Sequence, residues 1–327
     1  MEQPAGNKIT GNPSSHPALS VKWVEDFPDI PLNRNEAYKL RVTSKGVEIE
    51  AITETGVYRA IQTLRQLTEK KGNGIAITGC EITDWPAFRI RGFMQDVGRT
   101  YISTDELKRE IAILARYKIN VFHWHLTENQ AWRLQSKVFP MLNDSVNTTR
   151  QPGKYYTLEE ARELAAFCKQ HHVLLIPEID MPGHSAAFVR TFRHDMQSPE
   201  DEDTETPDRR GLRNVRCPLP AYRDRRGAVH PSGFRTRNVA YVRSKGKKVI
   251  SWNPGWHYKP GEIDMTHLWS YRGKAQKGIP AIDSRFHYLN HFDTLPTSSP
   301  STTAASTTSC RAAMIWQARS WQSGTTG

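Results

Sequence analysis

The sequence predicts an α/β architecture, a small α/β unit followed by a longer run of parallel strands alternating with helices. Three observations predict it. From Ile90 onward, short apolar segments (GFMQDV, NVFHWHL, VLLIPEID) alternate with helix-length amphipathic ones, Thr104 to Arg116 and Leu158 to Gln170, as parallel strands joined by crossover helices require. Both helices open on capping boxes, Ser103 with Glu106 and Thr157 with Glu160, so their starts are well marked. Three more strand-like runs, KKVISW, DMTHLW and IPAIDSR, continue the series.

In chain order, residues 1–17 read as a disordered tail and 18–84 as the small N-terminal α/β domain. Within that domain YKLRVT and VEIEAI alternate apolar and polar residues about a turn at Ser44 to Gly46. A helix from Glu54 then carries Val57, Ile61, Leu64 and Leu67 on one face. Residues 85–294 hold the parallel strands, and 295–327 form a tail. A chain of 327 residues buries one large core or two ordinary ones, so a disulfide-stapled miniprotein is excluded. No repeat and no GxGxxG loop is visible, so a dinucleotide fold has no support.

With a mean hydropathy of −0.63 and only short apolar runs, no membrane span is expected. The N-terminal residues show no basic start followed by an apolar stretch, so no signal peptide is read there. Cys80, Cys168, Cys217 and Cys310 lack CxxC spacing and read as free thiols. The net charge of +11 raises nucleic acid as a partner. Its distribution argues against one: residues 200–238 hold nine Arg against seven acidic residues, and 295–327 hold two Arg against none. The remainder is scattered apart from the short run Lys245, Lys247, Lys248, and the Arg-rich segment, with only Tyr222 and Phe234 among its arginines, lacks the regular aromatic interleaving of a nucleic-acid module.

The predicted strands end in polar or aromatic residues: Asp96 and Arg99, His123 and His125, Glu178 and Asp180, Trp252, Trp269. In a parallel βα barrel these ends form the active face, so the side chains would converge on one pocket. Carboxylates and Arg bind hydroxyls in pairs, and a Trp face stacks on the C–H face of a sugar ring. Taken singly, His123 and His125 could be satisfied core histidines, and Trp252 or Trp269 core filling. His123, His125 and His184 lack an HExxH or similar spacing, so no metal and no other cofactor is expected.

RGFMQDVGRTYIS, KINVFHWHLTENQAWR and LLIPEIDMPGHSAA, in that order and spacing, resemble the first three barrel strands of glycoside hydrolase family 20, the β-N-acetylhexosaminidases. The unit at Glu36 to Leu67 is similar to the small domain before that barrel, and VISWNPGW, THLW and FHYLN resemble its strands five to seven. The resemblance implies a (β/α)8 TIM barrel, incomplete as written, and a retaining mechanism with no enzymic nucleophile. The substrate's 2-acetamido oxygen attacks C1, a Glu protonates the leaving oxygen and an adjacent Asp orients the amide. It further implies that Arg99 and Glu128 bind sugar hydroxyls, that Asp180 and His184 support the acid, and that Trp252, Trp269 and Tyr288 wall the acetamido pocket. Glu128 stands in a TEN string where many relatives carry two Asp. The partners implied are N-acetylhexosamine-terminated glycans; family members are often exported, periplasmic or lysosomal.

The family's catalytic Asp-Glu pair, in an HxGxDE string on strand four, has no in-frame counterpart. Arg-rich sequence of no periodicity stands there instead. Back-translating Leu219 to Pro231 with permitted codons and reading from the second base gives YLHIGTDEVQFTH. The Asp codon then straddles Arg225 and Arg226, and the Glu codon straddles Arg226 and Gly227. The same shift turns Glu200 to Pro218 into an amphipathic helix pattern. From Leu295 a third-base reading replaces the low-complexity run with a segment ending in TILAVW, a strand-like string with its own Trp. Two frameshifts are therefore inferred, at about 199–238 and from about 295, in the gene or in its sequencing. The expectation is a family 20 polypeptide impaired in catalysis, with residues 200–238 and 295–327 irregular or weakly packed. The alternative is a non-catalytic carbohydrate-binding protein using Arg99, Trp252 and Trp269.

Overall fold

The structure, a computed structural model, describes residues 8–10, 18–180, 183–194, 234–254, 257–285 and 313–318. The first unit contains β1 (Lys8–Thr10), β2 (Ala18–Trp23), β3 (Tyr38–Thr43), β4 (Gly46–Ala51), α1 (Glu54–Leu67), β5 (Thr68–Lys71), β6 (Gly74–Thr78) and β7 (Cys80–Asp84). β3 and β4 are the predicted hairpin and lie at the centre of a four-stranded sheet ordered β2-β4-β3-β7. Their alternation buries Tyr38, Leu40 and Val42 with Val47 and Ile49, and Val57, Ile61, Leu64 and Leu67 of α1 pack on that face. Thr53 starts the helix by accepting from the Gly56 N–H. Gly56 lets the helix seat closely, since a Cβ there would lie 2.5 Å from the Ala37 carbonyl oxygen. Lys8–Thr10 fall in the segment expected to be disordered, but they pair antiparallel with Ala76 to Thr78 in a three-stranded sheet with β5. The free edge of β6 supplies a backbone ladder that the polar composition of the tail does not signal.

The second unit contains β8 (Ile90–Asp96), α2 (Thr104–Arg116), β9 (Val121–His125), α3 (Leu158–Gln170), β10 (Leu174–Glu178), α4 (Ala186–His194), α5 (Phe234–Ser244), β11 (Ile250–Asn253), β12 (Met265–Leu268), β13 (Ala281–Asp283) and β14 (Ala313–Ala318). Both predicted capping boxes form, at Ser103 and Thr157. The strands make one seven-stranded sheet, ordered β10-β9-β8-β14-β13-β12-β11, in which β8 to β13 all run parallel. One core lies between the sheet and α2 and α3, around Phe122, Trp124, Leu107, Ile111 and Leu164. A second lies inside the curved sheet, where Met94, Val121 and Ile282 meet Ile176 of β10 and Ile250 and Trp252 of β11. β10 and β11 end the sheet on opposite sides and still share this cluster. The sheet is therefore rolled into a ring in which those two strands face each other across the place of a fourth barrel strand. Residues 219–231, where that strand was sought, lie outside the described residues.

Two expectations about residues 200–238 and 295–327 need correction. Residues 234–238 are not irregular; they form the first turn of α5, whose second half is the run VAYVRS. Within 295–327, Ala313–Ala318 form β14, hydrogen-bonded on both sides to β8 and β13. AMIWQA has neither Pro nor Gly and carries two strand formers, Ile315 and Trp316, and the facing edges of β8 and β13 leave a ladder to be completed. β14 runs antiparallel to both neighbours, against the parallel eighth strand that a (β/α)8 barrel contains.

Two polar clusters tie the units together. Glu36 accepts from Arg59 Nε at 3.0 Å, Arg91 Nη2 at 2.6 Å and Asn120 Nδ2 at 2.9 Å, joining the first unit to the floor of the ring. Lys118 Nζ donates to Asp84 at 2.7 Å and to the Tyr38 hydroxyl at 2.9 Å.

Candidate active site

The C-terminal ends of the parallel strands bring most of the predicted site residues together. Asp96 closes β8 and accepts from the backbone N–H of Arg99 at 2.9 Å, so the loop folds back and aims the guanidinium into the mouth. Arg99 then pairs with both Asp96 and Glu128. Gly98 permits this approach, since a Cβ there would meet the Glu128 Cβ at 2.8 Å. Glu128 follows β9 and is almost wholly buried, while Arg99 keeps 38% of its side chain exposed. His184, in the left-handed backbone region at φ 51°, sets Nδ1 in ion-pair contact with Glu128 at 2.6 Å. Asp180, just past β10, is held through its backbone N–H by the Thr127 hydroxyl at 2.9 Å.

A second group lies deeper. Glu178, at the end of β10, accepts from the indole Nε1 of Trp252 at 2.6 Å, and His123 Nε2 and His125 Nδ1 stand in ion-pair contact with its other oxygen at 2.8 and 2.9 Å. The Trp252 ring stacks on His267 with centroids 4.0 Å apart. The Ser284 hydroxyl accepts from His267 Nε2 at 2.9 Å and donates to the Leu268 carbonyl. Trp252 is thus partly buried and packed against the ring's interior. Trp269, one strand further on, donates from its indole to the Pro254 carbonyl at 3.3 Å. Tyr288 and the Arg225, Arg226 and Gly227 positions lie outside the described residues. Glu178 has a strand-end place in the sequence pattern but no role there, and His267 and Ser284 are not marked by any motif. Their only signal is the alternation that turns His123, His125 and His267 into a parallel ring, where a buried imidazole needs a partner.

The charges order themselves by these contacts. Burial raises the Glu128 carboxyl, but the neighbouring His125 and His184 imidazoles outweigh it and hold its pKa at about 2. The bond to Glu128 raises His184. Burial would discharge His125, yet the Glu178 charge and the close approach of both carboxylates raise it well above the ordinary histidine value. Burial likewise opposes ionisation of Glu178, and the two histidine charges prevail and lower it. Burial and then the neighbouring Glu178 charge push Asp180 up to about 6. Burial and the nearby His123 lower His267, which stays neutral. Donor atoms of Asp96, His125 and Glu128 lie within 4.8 Å of one another. The Arg99 guanidinium, paired with both carboxylates, stands where a cation bridging them would sit.

Opposite pH dependences follow from the two displaced carboxyls. Glu128 is lowered from 4.5 to about 2, so its contribution is present above 4.5 and lost as pH falls toward 2. Asp180 is raised from 3.8 to about 6, so stability is lost as pH rises from 3.8 through 6. Urea unfolding at fixed pH is expected to show Glu128→Gln abolishing the first slope and Asp180→Asn the second. Unchanged slopes in both variants would refute this assignment.

Residues 88–219 match the catalytic domain of glycosyl hydrolase family 20, and residues 5–85 match domain 2 of that family. The chain is similar to a β-hexosaminidase of Porphyromonas gingivalis, 39% identical over 58% of this chain and 24% of that protein. It is also similar to a β-N-acetylhexosaminidase of Cellulomonas fimi, 34% identical over 83% of this chain and 61% of the relative. The chain therefore spans about a quarter to three fifths of the length of these relatives. Among solved structures, a β-N-acetylhexosaminidase from Bacteroides fragilis shares the fold, with a TM-score of 0.63 at 23% identity over 83% of this chain and 64% of that one. An inactive variant of the Vibrio harveyi exo-β-N-acetylglucosaminidase aligns with a TM-score of 0.57 at 26% identity, over 77% of this chain and 48% of that one. The fold is a TIM-barrel catalytic domain preceded by a small α/β domain, and the chain belongs to glycoside hydrolase family 20.

Proposed function

We propose that the strand ends form a pocket for the terminal N-acetylhexosamine of a glycan, and that the intact parent of this chain hydrolyses that sugar by substrate-assisted retaining catalysis. The observation that carries the proposal is the Arg99, Glu128 and His184 constellation. A guanidinium anchored on two carboxylates keeps its remaining N–H groups turned toward the mouth, where they can donate to vicinal hydroxyls. Asp180 and His184 support the acid, and Trp252, Trp269 and Tyr288 wall the acetamido group. In the reaction, the 2-acetamido oxygen attacks C1 and forms an oxazolinium ring as the Glu of the Asp-Glu pair gives its proton to the leaving oxygen. Water then opens the ring with that Glu as base.

The chain as written lacks the pair in frame, so it binds without turning over; this is also where the carbohydrate-binding reading draws its support. Calorimetric titration with N-acetylglucosamine is expected to give saturable binding, weakened about tenfold or more by Arg99→Ala, the order expected for losing charged hydrogen bonds. Absence of saturable binding, or binding indifferent to Arg99→Ala, would reject the pocket.

A further inference from the structure

The ring's two halves meet at one carboxylate. Glu178 stands on β10 and Trp252 on β11, at opposite ends of the sheet, and yet the indole donates to Glu178 Oε1 at 2.6 Å. In a barrel, alternate strands contribute the inward side chains of one layer, which is how strands three and five place these two groups level with each other. The other oxygen, Oε2, holds His123 and His125 at 2.8 and 2.9 Å, and His125 reaches on toward Glu128 at 3.8 Å. A row of neighbouring charged groups thus leads from Trp252 and Glu178 past His125 to Glu128, and from there to Arg99 and His184.

We infer that Glu178 is a positioning residue, which fixes the plane of Trp252 relative to the Arg99, Glu128 and His184 group and so keeps the aromatic wall in register with the residues that hold the sugar hydroxyls. This inference rests on the sugar-pocket reading for its functional consequence, though not for the contact itself. The geometry favours positioning over core filling. A ring stacked on His267 can still slide or rotate in its own plane, and a short bond from the indole edge is what stops that motion. The carboxylate's far oxygen also packs against two imidazoles at ion-pair distance, which restrains it from following the indole if the indole moves.

The test uses the full chain with 15N-labelled tryptophan, and the indole signal of residue 252 is identified by its loss in Trp252→Phe. A charge-assisted bond moves that proton signal downfield and slows its exchange with solvent. Glu178→Gln, which keeps volume and an acceptor oxygen but no charge, is expected to shift the signal part of the way upfield. Glu178→Leu is expected to shift it fully and to release its exchange protection. An unmoved signal in Glu178→Gln overturns the inference even if Glu178→Leu does not fold. In parallel, N-acetylglucosamine affinity is expected to fall about tenfold in Glu178→Leu and less than about threefold in Glu178→Gln. In the Trp252→Phe background, Glu178→Leu should then cost nothing further. An equal loss in both backgrounds would make Glu178 a general structural residue and overturn its role in register. If the unmutated chain binds no N-acetylglucosamine, the sugar-pocket reading fails, and the indole signal alone still decides whether Glu178 sets Trp252.

Discussion

Restoring the reading frame between Pro199 and Val239 and again after Thr294 is expected to raise hexosaminidase activity by several powers of ten, from a starting protein that releases no p-nitrophenol from its N-acetylglucosaminide above buffer. The first repair returns the proton donor and the amide-orienting carboxylate together, whose joint loss removes acid catalysis and positioning at once. The second replaces the antiparallel β14 with a parallel strand. An acid of this kind works inside a closed, water-poor pocket, so the first repair alone should give little rate and the two together much more. The measurement sets the two single repairs and the double repair side by side at equal soluble concentration. A double repair as inactive as the original would reduce the hidden motifs to coincidences of codon choice and leave the carbohydrate-binding reading in possession. Ordinary turnover by the unrepaired chain would refute the frameshift reading from the other side.

Glu36→Leu is expected to destabilise the protein by about 3–5 kcal/mol, the usual cost of removing one member of a buried ion pair. Arg59 is 2% exposed and Arg91 13%, and both direct guanidinium N–H groups at this one carboxylate. Burial opposes the charge on Glu36, and Arg91 and then Arg59 outweigh it and keep its pKa low. Without the carboxylate two guanidinium groups remain out of water with no counter-charge. Glu36→Gln, which preserves the acceptor oxygen and the Asn120 contact, should cost distinctly less. Urea midpoints for the two variants measure this. A loss below about 1 kcal/mol for Glu36→Leu would mean that the arginines regain solvent and that the two units are held by Lys118 and apolar packing instead.

The parts of the fold that could be read in advance are those where one local signal dominates. α2 and α3 begin where their capping boxes place them, and β3, β4, β8 and β9 follow their apolar patterns to within a residue or two. β5 could not be read: TEKK is polar and exposed throughout, and it is a strand only because β6 lies beside it. β1 and β14 belong to the same class, being strands made by a neighbour's open edge. For the site, motif position brought Arg99, Glu128, Asp180 and His184 to one mouth. The Glu178 link to Trp252 stayed hidden, because it depends on how far the sheet rolls before its two ends meet, and that distance is set by the whole ring.

The reversed direction of β14 has a practical consequence for handling the protein. Its register sets Ala313 beside Gln95, near the mouth, and Ala318 beside Ile90, at the floor. A parallel strand would carry the chain out at the rim; here the backbone passes Ala318 on the face remote from Arg99 and His184. An affinity handle joined directly at Ala318 therefore starts on the floor side. A chip or resin that captures the protein by such a handle would present the open mouth to the flowing glycan.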